Sequence, residues 1–360
     1  MKYWFLELSL IFTLVGYSIG FTQQTVSTSY QNKLKTELSI SLSGRVKLLR
    51  QSTYYINSNS SDTIAYIFNS QGSPTKIIKT DRALFNPGSG KKIYDFENGN
   101  LISEKYYENN TLLFGTNLKY DNMGRLLESS EYSNNKNLKR KSGKPSFIET
   151  YQYNSLGQLT AYTMDNISGK VFHKWVYKYD NNGNKIEEGS CENYKGIKYP
   201  IECNYKALLG YEYNAKNQLT KEFGIAKWSP HNTDTYYQYD EQGNEIEAKG
   251  YYISNVTVLG YHFVYQYDEY GNRIREEEKS GNYSRIDFDK YKYLIMRYDI
   301  NRNLVQKEYY APDDRQIKVI RFIYTYDNFG NWIKRERYEG KTEFELSKIE
   351  VDDRAIEYFQ

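Results

Sequence analysis

Cysteine, proline and histidine are scarce in this chain of 360 residues, which has 2, 6 and 3 of them. Two cysteines exclude a disulfide-dense fold, six prolines a collagen-like chain, and three histidines a histidine-rich metal class. An excess of either charge is also missing. Lys+Arg number 48 against 45 Asp+Glu, a net charge of +3. That argues against nucleic acid as a partner, because phosphate tracking needs a concentrated basic surface. Apolar residues reach only 39% and mean hydropathy is −0.81. What the chain has instead is tyrosine, 40 residues within an aromatic share of 17%. Disordered chains are poor in aromatics, and tyrosine suits strands with one wet end. Composition therefore predicts a polar, ordered β protein.

The N-terminus reads as an export signal. Lys2 precedes a mostly apolar run from Phe5 to Ile19, and Ser18-Ile19-Gly20 offers the small-x-small pattern of a cleavage site. The run is shorter than the ~20 residues of a membrane-spanning helix, and Glu7 sits inside it. A retained anchor is thus the weaker reading. The expectation is a signal peptide over 1–20 with cleavage after Gly20, and no membrane span in the mature chain. Secretion, or residence in a periplasm or on a cell surface, follows. Residues 21–43, rich in Ser, Thr and Gln, read as a polar linker before a single domain over 44–360.

An internal repeat fills most of that domain. Its unit, Tyr-x-Tyr-Asp-x-x-Gly-Asn, stands nearly intact at Tyr177–Asn184 and recurs at Tyr237–Asn244, Tyr265–Asn272 and Tyr324–Asn331. Variants with Asn for Asp occupy Tyr151–Gln158 and Tyr211–Gln218, and degenerate copies start at Tyr66, Tyr94, Leu118 and Met296. The ten units cover about 66–333. Each reads as a β-hairpin. Tyr-x-Tyr alternates with period two, and the Asp side chain accepts backbone N–H bonds in a turn. The Gly takes φ > 0 and closes the loop with a bulge. Structural turn residues are therefore Asp180, Gly183, Asp240, Gly243, Asp268, Gly271, Asp327 and Gly330. After the second aromatic, the apolar residue of the return strand falls at +6 in some units (Leu126, Leu159) and at +7 in others (Ile186, Ile246, Ile274). Neither sheet face is uniformly apolar. Extra strands at Val46–Ile56 and Lys348–Phe359 read as caps on a large twisted or rolled antiparallel sheet of about twenty strands.

The repeated unit resembles the YD repeats of the Rhs-like family, which includes bacterial toxin carriers and teneurin-like surface proteins. The resemblance implies a spiralling β-sheet, closed into a hollow shell in long members, and often carbohydrate binding. Ten units are fewer than long members use to enclose a large cavity. Only 27 residues follow Ile333, so the C-terminal effector of the toxin carriers is not expected here. What carries over is an open-sheet scaffold.

Catalytic chemistry finds little footing. The aspartates Asp121, Asp180, Asp240, Asp268 and Asp327 are explained by their turns. Asp180-x-Asn182-x-Asn184 departs from a calcium loop at Lys185, where glycine is required, and no metal site is expected. Glu187–Glu188 and Glu276–Glu278 are strand neighbours, the wrong geometry for paired glycosidase carboxylates. The histidines His173, His231 and His262 show no ligand spacing. Cys191 and Cys203 bracket an insertion and read as a disulfide in an exported protein. A second insertion places Trp228 and His231 on a polar loop, where the indole offers a stacking plane for a sugar ring; packing against the next hairpin is the alternative. The sequence thus predicts a non-catalytic, cofactor-free exported scaffold binding a glycan or cell-surface protein. The alternative is a structural or delivery-associated relative of Rhs-type toxin carriers, acting with a separate effector.

Overall fold

The computed structural model describes residues 42–58, 60–81, 90–133, 145–166, 171–191, 205–225, 233–253, 257–280 and 291–360. The predicted signal peptide, most of the linker, Cys203, Trp228 and His231 lie outside the described residues. Strand β1 (Val46–Tyr55) is followed by ten hairpins. The first five are β2–β3 (Ser60–Phe68, Pro74–Asp81), β4–β5 (Gly90–Glu97, Asn100–Glu108), β6–β7 (Thr111–Tyr120, Leu126–Ser133), β8–β9 (Phe147–Tyr153, Leu159–Asn166) and β10–β11 (Val171–Tyr179, Lys185–Cys191). The second five are β12–β13 (Tyr205–Tyr213, Leu219–Gly224), β14–β15 (Thr233–Tyr239, Glu245–Ile253), β16–β17 (Thr257–Tyr267, Arg273–Ser280), β18–β19 (Tyr293–Tyr298, Leu304–Tyr310) and β20–β21 (Gln316–Tyr326, Trp332–Gly340). A short 3₁₀ turn, Glu343–Glu345, leads into β22 (Ser347–Tyr358).

Each strand pairs antiparallel with the next in the chain, and β22 pairs with β1. The sheet is a closed up-and-down barrel, not the open sheet expected from the repeat. The strands read as caps are the seam that closes it: Leu49 sits opposite Ile356, Gln51 opposite Arg354 and Thr53 opposite Asp352. The physical reason is the edge. An unpaired strand leaves a row of N–H and C=O groups open, and only closure removes both edges at once. Twenty-two strands at a spacing of ~4.8 Å make a wall about 105 Å around. Wall side chains line so wide a barrel when it is round, leaving a lumen. Side-chain contacts follow the wall, along a strand or between strands at most two apart, and two separate apolar clusters form, one around Leu49, Tyr66, Ile77 and Tyr94 and one around Phe263.

The register resolves the +6/+7 puzzle. In the repeat hairpins from β6–β7 onward the second aromatic pairs with residue +6, as in Tyr120–Leu126, Tyr153–Leu159, Tyr179–Lys185, Tyr239–Glu245 and Tyr267–Arg273. Residue +7 occupies a β-bulge, where the register shifts. The tyrosine face is therefore the same in each of these units, and the buried cluster of Leu49, Tyr66, Ile77 and Tyr94 on it marks it as the lumen face. Where +6 is charged the charge is inside, and Ile186 at +7 is turned out and 39% exposed. Strand glycines make room for rings across the ladder. A Cβ on Gly250 would stand 2.2 Å from the ring of its pair partner Tyr261, so only glycine admits that ring.

Candidate functional site

The ten hairpin turns gather at one rim. In the turn of β10–β11, Asp180 Oδ1 accepts the N–H groups of Asn182 and Asn184 at 2.9 and 2.8 Å, and Asn184 Nδ2 returns a bond to Asp180 Oδ2 at 3.0 Å. Asp240 and Asp268 make the same reciprocal pair with Asn244 and Asn272, and Asp327 accepts the N–H groups of Phe329 and Asn331. Gly183, Gly243, Gly271 and Gly330 have φ between 78 and 91°. Where the turn opens with Asn the partner becomes Gln, so the donor reverses: Asn154 Nδ2 donates to Gln158 Oε1 and Asn214 Nδ2 to Gln218 Oε1. The last turn residue also reaches a neighbouring turn, Gln158 Nε2 donating to the Gly183 carbonyl and Asn184 Nδ2 to Asn217 Oδ1. These aspartates and asparagines are committed to holding the rim.

A belt of tyrosines stands just inside it. The hydroxyls of Tyr120, Tyr153, Tyr179, Tyr213, Tyr239, Tyr267 and Tyr298 donate to carbonyls of Leu101, Leu126, Leu159, Lys185, Leu219, Glu245 and Arg273 at 2.8–3.1 Å. Each bond ties a hairpin to the one before it. Burial pushes the Tyr153, Tyr179, Tyr213 and Tyr239 hydroxyls up to about 12, since a phenolate there would lose its water.

Charges on the tyrosine face form pairs made possible by the bulge, which brings +6 and +9 to one side. Lys185 meets Glu188 at 2.6 Å and Arg273 meets Glu276 at 2.9 Å. At the seam Arg335 meets Asp352 at 2.6 Å, and Asp352 is 1% exposed. Thr53 Oγ1 also donates to Asp352 Oδ1, at 2.5 Å. Arg354 Nε donates to Gln51 Oε1 at 3.0 Å, and its guanidinium lies 3.1 Å from the Trp332 ring centre. Phe322, Tyr324 and Tyr326 climb β20 with centroid spacings of 6.5 and 6.1 Å, and Trp332 stands 6.2 Å from Tyr324. The opposite face has its own ion pairs, Lys119–Glu128 and Lys178–Glu187.

Trp228 and His231, the binding residues expected from sequence, lie outside the described residues. Cys191 ends β11 and is disulfide-bonded, while Cys203 lies outside. The lumen wall of Lys307, Arg335, Arg337 and Arg354 was missed. Its one signal in the repeats was a cation at +9 from the second aromatic, Lys307 and Arg335, where the units at Tyr179 and Tyr267 place Glu188 and Glu276. Among the described residues no group of three or more His, Cys, Asp or Glu is placed to hold a metal ion.

No protein-family profile matches the chain, and no curated protein matches it. Among solved structures, the toxin-complex structure TcdB2-TccC3 aligns over 79% of this chain with 13% identity and a TM-score of 0.34. The chain spans 20% of that protein's length. A porin-like protein from Bacteroides uniformis aligns over 88% of this chain and 99% of its own, with 12% identity and a TM-score of 0.28. At such scores neither likeness bears on function.

Proposed function

We propose that the chain is an exported, non-catalytic β-barrel scaffold of the YD-repeat, Rhs-like kind that binds a carbohydrate or cell-surface component along its lumen. The observation that carries this reading is the aromatic ladder of Phe322, Tyr324, Tyr326 and Trp332 beside charged side chains on one wall. Aromatic planes stack on sugar rings while neighbouring polar groups fix their hydroxyls. Ion pairs at mid-strand on both faces support a barrel standing in water, because a membrane barrel presents an outward apolar band about 25 Å tall. No helix among the described residues is long and apolar enough to cross a membrane.

A glycan array and a pull-down with residues 21–360 test the reading. Retention of defined glycans supports it, and retention of none overturns it. Closure of the wall favours a second reading, a delivery-associated protein acting with a separate effector. Co-purification of a second polypeptide protected from protease would support that one instead.

A further inference from the structure

We infer that the lumen wall formed by β19–β22 holds an acidic oligosaccharide, one whose sugar rings carry carboxylates. This deepens the scaffold reading and rests on its lumen-binding element. The register puts Lys307 and Lys318 on the same face as Ile320, Phe322 and Tyr324, and carries that face on to Arg335, Arg337 and Arg354. Glu339, Glu350 and Asp352 share it, so three carboxylates stand against five cations. Lys318 is matched with Glu339 at 2.7 Å, Arg335 with Asp352, and Arg337 with Glu339 and Glu350 at 3.0 and 3.6 Å.

Donors remain unused. The Lys307 ammonium makes no hydrogen bond or ion pair among the described residues, and Glu276 acts on it only through space. Arg337 Nε is buried without an acceptor. Arg354 uses Nε on Gln51, and the outer fork of its guanidinium meets no carboxylate among the described residues. The guanidinium rests over the Trp332 ring, 3.1 Å from its centre, and its planar fork suits two parallel bonds to a carboxylate. Burial, and then repulsion from Arg335, bring the Arg354 guanidinium down to about 10. Burial lowers Lys307 too, and Arg337 adds to the effect while Glu276 opposes it. Burial leads both shifts, against the pull of Asp352 on Arg354 and of Glu276 on Lys307. The ladder on β20 favours sugar over peptide: its rings, 6.5 and 6.1 Å apart, offer stacking planes between the free cations.

The test is calorimetric titration of residues 21–360 with trigalacturonate, maltotriose and a hexaglutamate peptide. Neither Lys307 nor Arg354 is ion-paired, so the double variant Lys307→Gln/Arg354→Gln leaves no carboxylate stranded. Lys119→Gln on the opposite face is the control. Trigalacturonate is expected to bind the parent and Lys119→Gln alike, and at least tenfold more weakly to the double variant, which without ligand keeps the parent's β-sheet circular dichroism and a cooperative melt. Equal trigalacturonate binding by all three proteins overturns the assignment. Maltotriose bound without trigalacturonate overturns the acidic site and leaves the scaffold reading standing. Hexaglutamate bound more tightly than trigalacturonate, and lost in the double variant, overturns the sugar class.

Discussion

The hydroxyl of Tyr358 on β22 donates to the carboxylate of Asp327 in the turn of β20–β21. Tyr326 does the same one hairpin earlier, donating to Asp299 at 2.5 Å. The closing strand therefore supplies the tyrosine that an eleventh hairpin would have supplied, and the rim receives it as one more repeat. Asn331 completes the joint, donating from Nδ2 to Tyr358 Oη at 2.8 Å and to the Ser43 carbonyl at 2.7 Å.

Tyr358→Phe should cost about 1–2 kcal/mol, because it strips a partner from both Asp327 and Asn331. Chemical denaturation measures it. Deleting 347–360 should do far more, turning the barrel into an open sheet with two edges that self-associates. Size-exclusion chromatography of the truncated chain should show oligomers, and a clean monomer would contradict the role given to the seam.

Two turn substitutions should move stability down by different routes. Gly271 has φ +78° and its missing Cβ would meet only Asn244 Oδ1, at 3.6 Å, an ordinary contact, so Gly271→Val should destabilise by more than about 1 kcal/mol, chiefly through backbone strain. Asn217 sits at φ 60°, and on turn chemistry alone Asn217→Gly is neutral or mildly stabilising. Its Oδ1, however, accepts Asn184 Nδ2 at 3.0 Å. The loss of that bond between turns should shift the result to a destabilisation of up to about 1 kcal/mol. Denaturation midpoints of the pair separate strain from hydrogen bonding.

Asp352→Asn should be among the costliest single changes, roughly 2–4 kcal/mol, because it leaves the Arg335 guanidinium short of its nearest counter-charge in a buried setting. Glu350, 3.4 Å from Arg335, limits the damage. Thermal unfolding reads this directly. Asp352→Asn combined with Arg335→Met should recover part of the loss.

Alkali should unfold the barrel through its belt. Tyr153, Tyr179, Tyr213 and Tyr239 titrate at about 12 when folded, against 10 for an ordinary tyrosine. The folded protein thus holds these protons more tightly than the unfolded chain. Their contribution is complete below pH 10 and is lost as pH rises towards 12. Tyrosinate absorbance should lag behind that of free tyrosine and then rise together with loss of β-sheet circular dichroism. Tyrosinate forming fully while the sheet persists would disprove the link.

Much of this architecture could be read from the chain. The turn residues Asp180, Asp240, Asp268 and Asp327, the hairpins they close and the two additional terminal strands follow from local chemistry, and local chemistry repeats. Closure could not be read, because Leu49 and Ile356 carry no shared motif and their pairing is not local. The inward face was obscured for another reason. One bulge residue per return strand shifts the alternation, so neither face looked uniformly apolar, and nothing marked Lys185 and Arg273 as lying on the tyrosine face. The basic wall followed them out of sight.

The barrel can grow one hairpin at a time, each new strand finding its partner in the strand just made. One pairing breaks that order. Strand β1 must wait for β22, some 300 residues later, and bringing those ends together by free diffusion carries a loop-closure entropy of about 5 kcal/mol. The rolled wall built in between shortens that search by carrying one end round to the other. Closure is therefore the last step and the slow one. Until it happens the chain is a nearly finished sheet with a live edge, and its yield depends on how long that edge is kept from other chains.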